Sequence, residues 1–466
     1  MLRAPHRNIR HRLSPPRLGW KERDRHGIDP RRPVQVVVLA FAISIAAGTS
    51  LLLLPMASTD GTTVLQAFFT AVSAICVTGL IVVDTPTHWS VFGQVVIMAL
   101  IQVGGFGVMT LASVLTLAVS RQLGLHSRLV TTASTRGVQL GEIRGVLVRV
   151  FWTTVAVELA VTAILALRWS LGYGETPGRA LWLGLFHSIS AFNNAGFALF
   201  SDSLMPFTAD GWIVLPIAGA FLLGGLGFPV LIELYRQHRR PRRWSPQTKL
   251  TLLATAVLIP AGTAFVLATE WANPATLGPM NVAEKTLAAF FQGVTPRTAG
   301  FNSLEIGEMN TGTWLGMDVL MLIGGGSGGT AGGIKMATVA LLGFVIWSEL
   351  RGDQDVTVFR RRASARNIRE AVTVALLAIG AVAGSTLVVA LSSPFSLDEI
   401  LFEVVSAFAT VGLSTGITAE LSGPHQLLLC ALMFLGRLGP ITLGTALAMR
   451  ERKQAFRYPE TTMVIG

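Results

Sequence analysis

The chain has 466 residues, of which 51% are hydrophobic and only 14% are charged. Soluble domains carry about 25% charged residues, so this composition excludes an ordinary soluble enzyme and a disordered chain. The net charge of +11 would suit a nucleic-acid binder. Most Lys and Arg residues, however, lie in five segments that alternate with long apolar stretches: 1–33, 120–150, 236–249, 351–369 and 449–457. This is the positive-inside pattern of cytoplasmic loops, so we predict a polytopic membrane protein with no nucleic-acid partner.

The first 33 residues are rich in Arg, His and Pro and lack the apolar core of a signal peptide. We therefore expect a cytoplasmic tail. Eight apolar stretches of spanning length follow it: 34–54, 89–119, 145–169, 212–235, 250–271, 313–347, 368–391 and 425–449. Eight spans with both termini inside agree with the charge pattern. We predict an all-α, multi-pass protein of the cell inner (plasma) membrane.

Each of the four external connections contains a further, shorter apolar segment. These segments cover residues 64–75, 180–192, 282–293 and 397–408. They fall short of the about 20 residues that a membrane-spanning helix needs. We expect each of them to enter the bilayer from outside and return as a re-entrant helix.

Every short segment runs into a turn of small residues with one central glycine, namely Gly79, Gly196, Gly300 or Gly412. In three of the four, Ser-Ala begins six residues before that glycine. Self-similarity at a regular interval indicates an internal repeat, here a helix, a re-entrant helix, a glycine turn and a second helix. We therefore divide the chain into an N-terminal tail (1–33), repeats one to four (34–119, 120–235, 236–347 with a broken last helix, and 348–449) and a C-terminal tail (450–466).

A turn inside a membrane exposes backbone groups that must be buried in protein or line a watery path. Four such turns around a pseudo-fourfold axis would present a ring of carbonyl oxygens, which can replace the hydration shell of a small cation. The re-entrant helices would point the negative ends of their dipoles at the same centre. The alternative is that the glycines only allow close helix packing, as small residues do in membrane bundles.

The sixth predicted span is interrupted by a run of glycines between residues 324 and 333. Each glycine costs a helix about 1 kcal/mol relative to alanine, so we expect the span to break and leave a loop that partly plugs the path. A phosphate-binding loop is the alternative. The GxxxxGK[ST] motif is absent, however, because Lys335 is followed by Met336.

Arg437 lies near the middle of the last predicted span. A charge at that depth is costly and indicates a functional site; the alternative is an arginine paired inside the bundle for structural reasons alone. We place it at the inner constriction, in contact with the loop. The candidate gate then comprises Gly324, Gly325, Gly326, Ser327, Gly328, Gly329, Thr330, Ala331, Gly332, Gly333 and Arg437.

The four turns read CVTGL at 76–80, NNAGF at 193–197, RTAGF at 297–301 and TVGL at 410–413. This fourfold pattern resembles the Ktr/Trk/HKT superfamily of potassium transporters, most closely its KtrB-type membrane subunits, from about residue 34 to the end. Members with serine at the first glycine position tend to pass sodium, and Gly79 argues against that here. The resemblance implies a selectivity filter of backbone carbonyls from Val77, Thr78, Gly79, Asn194, Ala195, Gly196, Thr298, Ala299, Gly300, Thr410, Val411 and Gly412.

The resemblance also implies how such a protein works. It implies potassium uptake through a channel-like pore, with potassium as the substrate held by the filter carbonyls and sodium as an activator whose site the sequence does not place. It implies a homodimer with one pore per chain and a cytosolic ring of Rossmann-type regulatory subunits. The nucleotide is then expected on that ring alone, and no covalently bound cofactor on this chain. The basic segments 236–249 and 351–369 are candidates for docking the ring, or they serve only as topology signals.

Two other functional classes remain open at this point. A sodium-coupled or broken-helix secondary cation transporter would also have glycine-interrupted spans, but it usually shows inverted repeats and an intramembrane acid or base. Glu158 lies in a span and either serves ions or protons or makes a structural hydrogen bond. A membrane enzyme would need clustered His, Asp or Glu, and no such set or metal-ligand spacing is present. We therefore predict no catalytic residues.

Overall fold

The computed structural model describes residues 31–107 and 140–449. The predicted tails, 1–33 and 450–466, lie outside this part of the chain except for residues 31–33. The last residues of the second predicted span, 108–119, and the basic connection after it as far as residue 139 also lie outside the described residues. The first described helix begins at Arg31, three residues before the predicted start of the first span.

Almost all regular structure of the two described stretches is α-helical, in agreement with the predicted class. The helices are α1 (Arg31–Leu52), α2 (Val64–Cys76), α3 (Thr85–His88), α4 (Val91–Gly107), α5 (Leu140–Tyr173), α6 (Pro177–Phe192), α7 (Gly211–Leu226), α8 (Phe228–Gln237), α9 (Pro246–Glu270), α10 (Val282–Val294), α11 (Thr311–Leu322), α12 (Met336–Arg351), α13 (Ala365–Ala390), α14 (Leu397–Ala409) and α15 (Gly423–Met449).

One small hairpin departs from the predicted all-α class. Strands β1 (Thr357–Val358) and β2 (Arg361–Arg362) pair antiparallel between α12 and α13. The two residues that join them, Phe359 and Arg360, have φ values of +48° and +64°. Positive φ at both central residues is the geometry of the favoured two-residue hairpin turn, which explains why the chain reverses here.

Three described helical stretches are long and apolar enough to cross a membrane unaided: Val148–Tyr173, Pro246–Glu270 and Ala365–Ala390. They expose large apolar side chains such as Leu171 and Leu376, as expected of helices that face lipid rather than water. A bent pair, α7 with α8, provides a fourth candidate. The predicted number of eight spans stays a prediction, because the remaining candidates are shorter, interrupted or partly outside the described residues.

The predicted span 212–235 is not one continuous helix in the structure. Helices α7 and α8 meet at an angle of 96°. Gly227, between them, has a φ of +92°, a conformation that side chains with a Cβ avoid. Pro229, the second residue of α8, has no backbone N–H with which to continue α7. The carboxyl end of α7 is therefore free to contact other segments.

The four short helices, α2, α6, α10 and α14, are 13 to 16 residues long and form much of the buried core. Three of them begin with a capping box, in which the side chains of the N-cap residue and the third helical residue each accept a hydrogen bond from the other's backbone N–H. These pairs are Thr63 with Gln66, Asn281 with Glu284, and Ser396 with Glu399. Helix α6 begins with Pro177 instead. Each short helix thus has a defined start and runs directly into one glycine turn.

Candidate functional site

The four predicted turn glycines lie against one another in the folded chain. Gly79, Gly196, Gly300 and Gly412 have φ values of +93°, +70°, +77° and +92°. A Cβ added to Gly79 would collide with the Ala195 carbonyl oxygen, and one added to Gly196 would lie 2.7 Å from the Gly300 Cα. A Cβ on Gly300 would meet the Val411 carbonyl oxygen, and one on Gly412 the Thr78 carbonyl oxygen. The contacts therefore run from each turn to the next and close a ring.

The residues before each glycine complete the geometry of this ring. Two positions before it stands a residue with a side chain and a positive φ: Val77 (+57°), Asn194 (+60°), Thr298 (+69°) and Thr410 (+51°). One position before it stands a buried residue whose carbonyl oxygen lies beside the glycine of a neighbouring turn: Thr78, Ala195, Ala299 and Val411. Left-handed residues with side chains are costly and cluster at functional sites. We call residues 77–79, 194–196, 298–300 and 410–412 the glycine segments.

A hydroxyl group at the end of each short helix holds the following glycine segment. Ser73 Oγ donates to the Leu80 carbonyl oxygen at 2.7 Å and accepts from the Gly79 N–H at 3.1 Å. The other three bonds are those of Ser190 to the Phe197 carbonyl (2.7 Å), Thr295 to the Phe301 carbonyl (2.5 Å) and Ser406 with the Gly412 N–H (3.1 Å). The repeated Ser of the sequence motif is thus a brace, and the sequence reasoning missed the threonine that replaces it in the third copy.

All four central glycines line one cavity of about 550 Å³. Asp84, Glu305, Asn302 and Ser201 also line it. The Asp84 carboxylate accepts hydrogen bonds from Thr87 (2.6 Å) and Ser201 (2.8 Å). The glycine segments therefore form the floor of a vestibule whose wall carries polar and acidic groups.

Residues 323–335, between α11 and α12, form no helix; we call them the glycine-rich loop. Thr330 Oγ1 donates to the Asn194 side-chain oxygen at 2.7 Å and lies 3.3 Å from the Phe192 carbonyl oxygen. A Cβ on Gly332 would collide with the Thr410 hydroxyl. The loop therefore packs directly against the glycine segments of the second and fourth copies.

The same loop is bonded to the break between α7 and α8. The Gly326 N–H donates to the Gly225 carbonyl (2.8 Å), and the Thr330 N–H donates to the Gly224 carbonyl (3.2 Å). In return the Phe228 N–H donates to the Gly328 carbonyl at 3.2 Å. Backbone groups left open by the broken helices thus satisfy one another, as the membrane interior requires.

Arg437 is 2% exposed and reaches this loop from α15. Its Nη1 donates to the Thr330 carbonyl oxygen, and its Nη2 donates to the Gly104 carbonyl oxygen at 3.4 Å. Within residues 31–107 and 140–449, no ion pair joins it to a carboxylate. The predicted contact between Arg437 and the loop is therefore present. Lys335 Nζ likewise turns back to the Ala331 carbonyl at 2.5 Å.

Two buried carboxylates lie close behind the glycine segments. Glu158 accepts from Gln102 (3.3 Å) and Asn193 (3.1 Å), which agrees with its structural interpretation. Sequence reasoning missed Glu403, which is 1% exposed. It accepts from the Ser414 hydroxyl (2.5 Å), the Thr418 hydroxyl (2.7 Å) and the Thr415 N–H (3.0 Å). Its position, nine residues before Gly412 in α14, was the only sequence signal.

Comparison with known proteins identifies the family of this chain. The family model of the TrkH cation transport proteins matches residues 14–458. The chain belongs to this TrkH family. The family is one of cation transporters rather than of enzymes, and the apolar helices of this TrkH-family chain make it a multi-pass membrane protein.

Several relatives match this TrkH-family chain along most of its length. Ktr system potassium uptake protein B of Bacillus subtilis is 38% identical over 93% of this chain and 97% of its own. The protein of the same name in Vibrio alginolyticus is 37% identical over 94% and 95%. Potassium/sodium uptake protein NtpJ of Enterococcus hirae is 32% identical over 93% and 97%.

A solved structure supports the fold. The crystal structure of the potassium transporter TrkH from Vibrio parahaemolyticus superposes with a TM-score of 0.69, covering 92% of this chain and 87% of that one at 19% identity. At this identity the likeness concerns the fold alone.

Proposed function

We propose that this TrkH-family chain is the pore-forming subunit of a potassium uptake system in the plasma membrane. Four helix–pore-loop–helix repeats, with the boundaries given above, surround a pseudo-fourfold axis. The glycine segments are the selectivity filter. The observation that supports this most strongly is the closed ring of contacts from Gly79 through Gly196 and Gly300 to Gly412.

The chemistry of a backbone ring suits a dehydrated cation. The carbonyl oxygens of the glycine segments would replace the water molecules around potassium. Helices α2, α6, α10 and α14 end at this ring, so that the negative ends of their dipoles favour a cation there. No side chain has to change its protonation state for the ion to pass, which is the property of a passive pore and not of a proton-coupled carrier.

The glycine-rich loop and Arg437 are the proposed gate. The loop packs against the glycine segments through Thr330 and Gly332, and the Arg437 guanidinium adds a positive charge at the same level. A cation that leaves the filter inward would meet both. Conduction therefore requires the loop to move aside and Arg437 to release the Thr330 carbonyl.

The assembly follows from the same proposal. We place both termini in the cytoplasm and expect a homodimer with one pore per chain, as the family resemblance implies. A cytosolic ring of nucleotide-binding, Rossmann-type subunits would act on the basic segments 236–249 and 351–369. Potassium is the substrate, sodium is an activator, and the nucleotide stays on the ring.

The decisive experiment is rescue of potassium uptake in a bacterial strain that lacks its own uptake systems, with and without a regulatory partner. We expect growth at low external potassium, and passive flux down the potassium gradient when the purified chain is reconstituted in vesicles. A chain that inserts in the membrane but gives neither result contradicts the proposal. Uptake that requires a sodium or proton gradient would indicate a secondary transporter instead.

A further inference from the structure

An apolar groove of about 420 Å³ separates α9 from α12 on the outer surface of the described bundle. This volume lies in the range of about 300–1,000 Å³ that is typical of ligand sites. Every lining side chain is aliphatic, aromatic or methionine. Val257 and Trp347 line it and are 56% and 55% exposed. The groove is therefore open toward the surrounding bilayer.

One end of this groove lies at the hinges of the glycine-rich loop. Ile323, the first residue of that loop, and Met336, the first residue after it, both line the groove, and we call these two residues the hinges. The Met336 N–H donates to the Gly325 carbonyl at 3.1 Å. Its sulfur lies 3.6 Å from the Arg297 guanidinium, next to the glycine segment of the third copy. Anything that fills the groove therefore touches both hinges.

The other end of the groove carries two cations on an aromatic rim. The Lys249 ammonium, next to the lining residue Leu250, lies 5.9 Å from the centre of the Phe359 ring. That ring in turn lies 6.4 Å from the ring of the lining residue Phe344. The Arg351 guanidinium lies 4.7 Å from the centre of the Trp347 ring.

The Lys249 ammonium donates to the Arg242 carbonyl oxygen at 3.4 Å, an uncharged partner that leaves its positive charge in place. Neither Lys249 nor Arg351 forms an ion pair with a carboxylate in the part of the chain that the structure describes. Glu233 is close enough to Lys249 for an electrostatic interaction, but its oxygens accept from Ser245 and Thr248. The exposed acids Glu349 and Asp353 flank Arg351 in the sequence, and among the described residues neither forms an ion pair with Lys249 or Arg351.

The length of the groove matches one leaflet of a bilayer. From Met336 to Trp347 the helix rises about 16 Å, roughly half of the ~30 Å hydrocarbon core. Trp347, Lys249 and Arg351 lie at the end of the groove away from Met336. A tryptophan and basic residues in such a position are the usual anchors of a membrane interface. The apolar part of the groove therefore lies at acyl-chain depth, and the cations lie at headgroup depth.

We propose that this groove binds one anionic phospholipid. Its acyl chain lies along α9 and α12 as far as Ile323 and Met336, and its phosphate lies between Lys249 and Arg351. The negative surface potential of the inner leaflet and its anionic lipids favour such basic clusters. The bound lipid would join α12 to α9 and restrain the hinges of the glycine-rich loop. This regulatory consequence rests on the proposed function, whereas the binding itself does not.

Tryptophan fluorescence tests the binding in the full chain without measuring transport. The chain is reconstituted in zwitterionic vesicles with increasing amounts of phosphatidylglycerol or phosphatidylcholine brominated on the acyl chains. The difference from Trp347→Phe isolates the signal of Trp347. We expect brominated phosphatidylglycerol to quench Trp347 at a lower mole fraction than brominated phosphatidylcholine does. The difference in mole fraction should be about fivefold for each basic residue that contributes near the surface.

Charge variants separate this site from general surface attraction. Lys249→Gln and Arg351→Gln should each weaken the preference, and the double variant should abolish it. Arg149→Gln, which removes an exposed charge on α5, should leave the preference unchanged. Equal quenching by both lipids in the native chain, or a preference that survives in the double variant, overturns the proposal. An equal loss with Arg149→Gln also overturns it.

A second variant tests the groove itself. Ala254→Phe fills it from α9 without changing charge and should reduce quenching by either lipid. Quenching that Ala254→Phe leaves unaltered contradicts occupancy of the groove and leaves the basic segments to a soluble partner. Potassium flux measured in the same vesicles is a separate readout. Its absence in every lipid would count against the proposed function and not against lipid binding.

Discussion

At the scale of single residues, the ring depends on backbone angles that most side chains avoid. Val77, Asn194, Thr298 and Thr410 hold such angles despite their side chains, at a cost of about 1–3 kcal/mol each. The hydroxyls of Ser73, Ser190, Thr295 and Ser406 form hydrogen bonds with the backbone of the central glycine or of the residue that follows it. The local strain is thus held by hydrogen bonds of the short helices, and the central glycines fit only because they lack a Cβ.

The substitution Gly79→Ser tests the glycine segment of the first copy. Its side chain would press against the Ala195 carbonyl and the Gly196 Cα, and a backbone shift that costs about 1–3 kcal/mol should lower the potassium-to-sodium permeability ratio at least about fivefold. Gly61→Ser is a matched control, because Gly61 also has a positive φ (+84°) but nothing lies within 4 Å of its Cβ position. Ion competition in vesicle flux is the measurement, and full retention of selectivity in Gly79→Ser would remove the filter assignment.

The Thr330 hydroxyl links the glycine-rich loop to the second glycine segment through Asn194. Thr330→Val keeps the shape and removes this hydrogen bond, which is worth about 0.5–1.5 kcal/mol, so resting flux should rise about two- to tenfold. Thr330→Ser retains the hydroxyl and should behave as the native chain. A similar rise in both variants, or in neither, would show that this bond does not hold the loop.

At the scale of elements, two interrupted helices form backbone hydrogen bonds with each other. The α7–α8 break and the glycine-rich loop exchange backbone hydrogen bonds through Gly225, Gly326 and Gly328. Neither interruption leaves these backbone groups unpaired in the bilayer. In the proposed gating, movement of the loop has to break its hydrogen bonds to α7 as well as the bond from Arg437.

Removing either half of the proposed gate should raise flux and spare selectivity. Arg437→Ala removes the bond to the Thr330 carbonyl and the local positive charge, and a deletion of residues 327–329 shortens the loop. We expect higher potassium flux in reconstituted vesicles and an unchanged potassium preference, because the glycine segments stay intact. Arg149→Ala is the control for loss of an arginine. Unchanged flux in both gate variants would rule out the gate.

Much of this arrangement follows from sequence alone, and the limits have physical causes. The short helices begin and end within about three residues of their predicted bounds, because length and apolar character define them locally. The break at Gly227 was missed because hydropathy stays high across Gly-Phe-Pro. Glu403 and the brace by Thr295 were missed because their partners come from turns that only folding brings together.

At the scale of the whole molecule, the charge pattern predicts that both termini face the cytoplasm. The two native cysteines, Cys76 and Cys430, are buried, so they should resist labelling. Arg179→Cys at the start of α6 should react with an impermeant maleimide in intact cells, and Arg360→Cys in the hairpin only after permeabilisation. The native chain, unlabelled in both conditions, is the control. Reversed accessibility of the two sites would overturn the topology.

The four glycine segments of the ring come from one chain and differ in their side chains. Valine, asparagine and two threonines occupy the equivalent left-handed positions, and the brace of the third copy is one residue closer to its partner than those of the first two. In a tetramer of identical subunits, a single codon change alters every quadrant at once. In the proposed filter it alters one quadrant, so that ion preference can change at one position of the ring while the other three stay as they are.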